Sequence, residues 1–327
     1  MKVKPCLLAA MLAFPSFTAS ADPALRDTAA RLFGIVEAAA PAQRDASAAR
    51  LGRALFWDER ISSNGRTSCG SCHAADAGGA ERRAKSVDAR GKPTPRNAQT
   101  VFNALRQPML RWLGDRPDPA VMAEGLATAV LGFGSKDEVV AALAEAGYRE
   151  RFRAAFPGEA EPLTLTNYGR VIAAYQATLT TPSPFDRFLA GNDRALTAKQ
   201  QAGLRRFIDT GCAGCHSGPV LGGTMFQRFG LVRDYAQVTK ANPVDPGRFA
   251  ITGKEEDRHV FRVAMLRNIA KTAPYFHDGS VATLPEAVRV MAEVQHGRTL
   301  NEAEVSEIVA FLESLSGDVP AHYAPPR

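Results

Sequence analysis

The chain has 327 residues, 45% hydrophobic and 23% charged, which excludes a disordered protein and suffices for two folding units of ordinary size. Its net charge of +6 falls to +4 without Lys2 and Lys4, so composition gives no support for nucleic-acid or membrane-surface binding. No stretch approaches the roughly 20 consecutive apolar residues of a membrane span.

In chain order, Met1-Lys-Val-Lys4, the apolar run from Cys6 to Phe17 and Ala19-Ser-Ala21 read as a secretory signal with an A-x-A cleavage site, covering residues 1–21. Export to the periplasm follows, and Cys6 leaves with the signal, so four cysteines remain. Ser47 to Phe56 reads as a helix with Leu51, Leu55 and Phe56 on its apolar side. Cys69-Gly-Ser-Cys72-His73 comes next. Thr166 is placed to cap a helix carrying Val171, Ile172, Tyr175 and Leu179, and Thr181-Pro-Ser-Pro184 then breaks the chain. Thr197 caps a second helix, Ala198 to Ile208, ahead of Cys212-Ala-Gly-Cys215-His216. Gly222-Gly223, Pro243 and Pro246-Gly247 mark a long loop region, and Asn301 with Glu304 opens a last helix through Leu315 that Gly317 ends.

Two copies of Cys-x-x-Cys-His specify two covalent c-type haems: each thiol pair adds to the porphyrin vinyls and the adjoining His supplies the proximal nitrogen to iron. The competing zinc reading fails because neither pair has a second Cys pair nearby to complete four ligands. Cys69, Cys72 and His73 thus attach one haem, and Cys212, Cys215 and His216 the other. Gly52-x-x-x-Phe56-x-Asp58 before the first motif recurs as Gly203-x-x-x-Phe207-x-Asp209 before the second, an internal repeat. Helix, haem motif, loops and closing helix, twice over, predict a mainly α protein of two class I cytochrome c-like domains. The boundaries are 22–183 and 184–327, and no sizeable sheet is expected.

The chain resembles the bacterial dihaem cytochrome c peroxidase superfamily, which includes the MauG-type enzymes that oxidise aromatic residues of partner proteins. The resemblance runs from about residue 47 to 317 and rests, beyond the haem motifs, on Leu55-Phe-Trp-Asp58, Pro95-Arg-Asn97, Trp112 with Gly114-Asp-Arg116, Tyr148 to Phe156, Pro184-Phe-Asp186, Gly222-Gly-Thr224, Leu266-Arg-Asn268 and Pro274-Tyr-Phe-His277. It implies that the N-terminal haem meets peroxide, that the C-terminal haem stores an electron equivalent, and that Trp112 is the inter-haem relay. It also implies a Ca2+ held by the Asn97 side chain with backbone carbonyls and water, and it allows a homodimer.

The departures from that pattern bear on mechanism. Lys85 to Gly91, where the family carries a displaceable distal His for the first iron, contains none, and the family's acid–base glutamate and glutamine positions fall on Gly132 and Met122. Glu124 and Asp115 are the substitute acid–base candidates. At the second iron Ala273 occupies the place of the methionine ligand, leaving Tyr275 as the candidate distal ligand and Met265 or His277 as alternatives; His259, His296 and His322 read as structural. The function expected is a periplasmic peroxidase that reduces H2O2 with electrons from a small cytochrome c or cupredoxin, entering through the C-terminal haem. The alternatives are a MauG-type oxidase acting on a protein substrate and a plain dihaem electron carrier.

Overall fold

The computed structural model describes residues 23–326 and is mainly helical. The signal segment assigned to 1–21 lies outside the described residues. Eight helices build the core: α1 (Pro23–Leu32), α2 (Ser47–Trp57), α3 (Pro119–Ala129), α4 (Leu165–Ala177), α5 (Pro184–Leu189), α6 (Ala198–Asp209), α7 (Leu284–His296) and α8 (Glu302–Glu313). The one sheet among the described residues is an antiparallel pair, β1 (Phe226–Arg228) and β2 (Val260–Arg262), with Gln227 opposite Phe261.

Helix boundaries follow their caps. Thr197 Oγ1 accepts from Gln200 N and Asn301 Oδ1 from Glu304 N, so α6 and α8 begin where the sequence places them. The start of α4 differs. Thr164, two residues before Thr166, accepts from Asn167 N, which makes Leu165 the first helical residue and leaves Leu179 beyond the C-terminal end. Nor does Gly317 end α8. The helix stops at Glu313, where Ser314 O accepts from Phe185 N of α5. Gly317 instead passes over Thr181 and Pro182, whose carbonyl oxygens lie 2.5 Å from where a Cβ would stand.

The repeated glycines explain the pairing of opening and closing helices. A Cβ on Gly52 would sit 1.9 Å from Val171 O, and one on Gly203 would sit 1.8 Å from Glu307 O, so α2 touches α4 and α6 touches α8 backbone to backbone. Phe56 and Phe207, one turn further on, then reach Tyr175 and Phe311 at ring separations of 5.4 and 5.2 Å.

Two hydrophobic cores result, and they exchange chain ends. Leu25, Ala29 and Phe33 from α1 and its C-terminal end pack with Phe185, Phe207 and Phe311, whereas Tyr323 packs with Phe56, Phe102 and Tyr175. Core membership at both termini therefore departs from a contiguous split into 22–183 and 184–327.

The junction near 183 is buried. Arg267, fully enclosed, donates to both Asp186 oxygens (2.7 and 2.8 Å), to Ser183 Oγ, and to the Pro219 and Gly34 carbonyls, while Asp186 also accepts from Val36 N. One ion pair thus joins four distant segments. Burial lowers the Arg267 pKa, and the paired Asp186 carboxylate opposes that shift in part.

Gly203→Ala should lower unfolding stability by about 1–3 kcal/mol, because the added methyl meets a helix carbonyl that cannot rotate away. Gly158→Ala, which meets open space, should stay within about 0.5 kcal/mol. Urea denaturation of both variants checks the contrast.

Candidate functional site

Each Cys-x-x-Cys-His forms a tight turn that presents its histidine to a cavity. Cys69–Cys72 is a single helical turn closed by His73 N donating to Cys69 O at 3.0 Å, and His216 N donates to Cys212 O at the same distance. His73 Nδ1 lies 2.9 Å from Gly79 O and His216 Nδ1 lies 3.2 Å from Leu221 O. A carbonyl only accepts, so Nδ1 carries the proton in both rings and Nε2 keeps its lone pair. Burial depresses both histidine pKa values, that of His216 to about 4, so each imidazole is neutral at pH 7. Phe56 stands 6.3 Å from the His73 ring and Phe207 stands 6.4 Å from the His216 ring, the same support built twice.

A cavity of about 520 Å3 adjoins Cys69, Cys72 and His73, and one of about 220 Å3 adjoins Cys212, Cys215 and His216. Their walls share Trp112, Arg262, Ala264, Ile269, Tyr275 and Phe276. Two thiols and a neutral imidazole nitrogen at each mostly apolar hollow fit a covalently held haem.

Trp112 is fixed from three sides. Its Nε1–H donates to Asn97 O at 2.8 Å, its carbonyl accepts from Arg262 N of β2 at 2.8 Å, and its ring meets His277 edge-on at 6.2 Å. His277 is buried in an aromatic cage of Phe261, Phe229 and Tyr235, with its Nε2 3.9 Å from Asp245 Oδ2. Asp245 in turn accepts two hydrogen bonds from Arg96, at 2.7 and 2.8 Å, across the junction of the two halves.

Arg262 is the group between the cavities that residue patterns did not single out. It is 1% exposed, and its side chain donates to Gln107 Oε1, Gln99 Oε1 and the carbonyls of Arg111 and Val263, all neutral acceptors. Burial lowers its pKa to about 10, which still leaves it cationic at pH 7. A buried cation without a carboxylate partner on both cavity walls suits anionic propionates.

The candidate acid–base residues do not line the His73-side cavity. Glu124 is not on its wall, and its Cγ packs over Gly169 of α4, while its neighbours Met122, Ala123, Gly125 and Leu126 do line the cavity. Asp115 is bound by Arg116 and Arg111, at 3.0 and 3.3 Å. The carboxylate on that wall is Asp88, which the sequence analysis passed over. Hydrogen bonds from the Lys92 and Arg90 amides hold its pKa below the ordinary value, so it is a base and not an acid at neutral pH.

On the other side, Tyr275 lines both cavities, and burial pushes its hydroxyl up to about 12. Met265 lines the His73-side cavity and not the one beside His216. A different methionine, Met291 of α7, lines the His216 cavity together with His277 and His296. Its position one helical turn after Ala287, on the apolar face of α7, was the available sequence signal. His259 and His322 make hydrogen bonds to Asp245 O and Thr178 Oγ1, at 2.9 Å each.

Asn97 Nδ2 donates to Arg83 O at 3.0 Å, which turns the carboxamide oxygen away as the donor for a cation, and Thr272 and Pro274 line the same cavity. Among the described residues no three His, Cys, Asp or Glu side chains cluster as a metal site.

The chain matches the family model for di-haem cytochrome c peroxidase over residues 46–194. It is 41% identical to the cytochrome c551 peroxidase of Pseudomonas aeruginosa over 320 residues, 95% of this chain and 91% of that one. The chain belongs to the di-haem cytochrome c peroxidase family. It is an oxidoreductase of the peroxidase type, in a family that carries two haems. It is also 30% identical to the methylamine utilization protein MauG of Methylorubrum extorquens over 285 residues, covering 83% of this chain and 78% of that protein. A solved MauG-like protein associated with microbial copper homeostasis superposes with a TM-score of 0.74 at 27% identity, over 90% of this chain and 97% of that one.

Burial would raise the Asp245 carboxyl, but Arg96 and the Gly247 amide hold it below its usual value. Its contribution to stability is therefore complete above the unfolded Asp pKa of about 3.9 and lost as pH falls through the lower folded value. Asp245→Asn should cost about 1–3 kcal/mol at pH 7, and the gap from wild type should narrow as pH falls below the unfolded Asp pKa of about 3.9, as read by denaturant titrations across pH.

Proposed function

We propose that the protein is a periplasmic peroxidase that reduces H2O2 to water at the His73 side, using electrons that arrive at the His216 side from a small cytochrome c or cupredoxin and cross by way of Trp112. The observation that carries this reading is that Trp112 forms part of both cavity walls and is clamped by Asn97 O and Arg262 N. Cys69, Cys72 and His73 would hold one haem and Cys212, Cys215 and His216 the other, each through two thioethers and an Nε2–iron bond. The haems, when bound, supply the iron that cleaves peroxide and stores an electron. Asn97 would hold the Ca2+.

The residues around the first site support direct access of peroxide. Lys85 to Gly91 offers no imidazole, and Met122, Leu126 and Leu131 line the cavity with apolar groups. Asp88 is the base positioned to accept a proton from peroxide, and Arg262 balances the anionic cofactor edge. At the second site Met291 would be the residue that offers a thioether to the haem, since it lines the His216 cavity and not the His73-side one. Tyr275 ligation is the second reading, favoured by its place on both walls, and it would shift the chemistry toward oxidation of a protein substrate, as in MauG-type enzymes.

Steady-state H2O2 consumption with a reduced cytochrome c or cupredoxin should be as fast from the fully oxidised protein as from the half-reduced one. Trp112→Phe should slow it at least about tenfold, about 1.4 kcal/mol of barrier, with both haems retained. Equal turnover would return Trp112 to a packing role.

The axial assignment is tested by redox titration. Methionine ligation raises a haem potential, so Met291→Leu should lower the potential of the His216-side haem and Tyr275→Phe should leave it unmoved. A potential unmoved by Met291→Leu and raised by Tyr275→Phe would establish Tyr275 as the ligand, since an anionic phenolate stabilises the ferric state.

A further inference from the structure

The second tryptophan, Trp57, is unused by the relay, and it sits on the opposite side of the His73 motif. Its indole lies flat enough on Gly70, inside Cys69-Gly-Ser-Cys72, that a Cβ there would be 2.2 Å from Trp57 Cε3. From it an aromatic cluster runs under His73. Tyr323 is 5.2 Å from Trp57 between ring centres and donates from its hydroxyl to His73 O, while Trp57 Nε1–H points at Tyr175 Oη, 3.4 Å away. Phe56 fills the middle, 5.4 Å from Trp57 and 6.3 Å from His73.

The internal repeat provides a comparison. At the matching positions of the other half, Ile208 follows Phe207, Phe311 stands for Tyr175, and Ala213 stands for Gly70. The helix crossing and the haem motif are built there without any readily oxidised ring, so packing alone does not require Trp57, Tyr175 and Tyr323. Electron-rich rings in van der Waals contact are stepping stones for a positive hole.

We infer that Trp57, with Tyr175 and Tyr323, is a one-electron outlet that carries oxidising equivalents from the His73 side to the protein surface when no reductant arrives through Trp112. Trp57 is the terminus. Tyr323 and Tyr175 are buried, and their hydroxyls donate to the main-chain carbonyls of His73 and His322, which hold no proton-accepting charge. Trp57 is half-exposed, so its oxidised indole can release the Nε1 proton to water. Two such electrons and two protons leaving Trp57, with one water added, give hydroxytryptophan, while H2O2 takes up the two electrons and two protons to become two waters. The sum is Trp57 and H2O2 giving hydroxylated Trp57 and one water.

The inference rests on the reading that peroxide reacts at the His73 side, and one experiment separates the two. The fully oxidised holoprotein is given H2O2 without reductant, with a cyanide-treated sample in parallel, and peptides are mapped by mass spectrometry. Trp57 should gain one oxygen atom in the untreated sample and lose that label under cyanide, and electron paramagnetic resonance of freeze-quenched samples should show an organic radical that Trp57→Phe removes. Peroxide consumed with Trp57 unlabelled, or equal labelling under cyanide, overturns the outlet and leaves the peroxidase reading intact. No peroxide consumed at all overturns both. Should Trp57→Phe lose haem, the cyanide comparison on the wild type still decides.

Discussion

Close contact between two helix backbones, made twice, is the constraint on which this protein depends. Gly52 against Val171 and Gly203 against Glu307 leave no room for a side chain, so each opening helix is fixed in register and depth against its closing helix. Register then places Phe56 and Phe207 at matching distances from His73 and His216. Haem attachment needs two thiols and an imidazole on one tight turn, and that turn is aimed by the helix immediately before it. A glycine four residues ahead of a phenylalanine is thus a statement about where an iron ligand points.

Joining the two copies requires a different physics. The junction is polar and buried, built from the Arg267–Asp186 pair and from Asn103 and Asn268, which both bond Thr181 Oγ1 and both take positive φ. Asn103 N donates to Leu179 O and Asn268 N donates to Leu315 O, so each half ends its closing helix on an asparagine. A buried ion pair is a poor source of net stability, but it is specific in direction, because every misdocked alternative strands a charge. The exchange of chain ends, with α1 in one core and Tyr323 in the other, adds apolar contact across the same division.

Between the halves, charge and aromatic rings meet. Trp112 is held by main-chain groups and not by packing alone, and the cation of Arg262 borders both cavities. An electron relay needs fixed distance and little reorganisation, and a side chain bonded through Nε1 and its own carbonyl satisfies both. The asymmetry between the sites is chemical. The motif on the His73 side is backed by Trp57, Tyr175 and Tyr323, whereas the matching positions on the His216 side hold Ile208 and Phe311.

The two haem motifs, the repeat, the caps at Thr197 and Asn301 and the mainly helical class were legible in the residues, because they depend on contacts within one or two turns of chain. Glu124, an acid–base candidate in the sequence, packs its Cγ over Gly169 of α4; a helix presents only some positions inward, and the rotation of α3 is set by what it packs on. Asp88 and Arg262 carried no local pattern, since a lone Asp or Arg in sequence looks the same whether it faces solvent or a cofactor, and the apolar face of α7 marks Met291 as inward-facing without saying what it borders. The sequence by itself determined what chemistry the chain can attach and how often. Only the tertiary structure decided which side chains surround each iron position, because that follows from helices about 100 to 120 residues apart meeting across a glycine and from a loop that returns Arg262 and Tyr275 to a wall begun by Trp112.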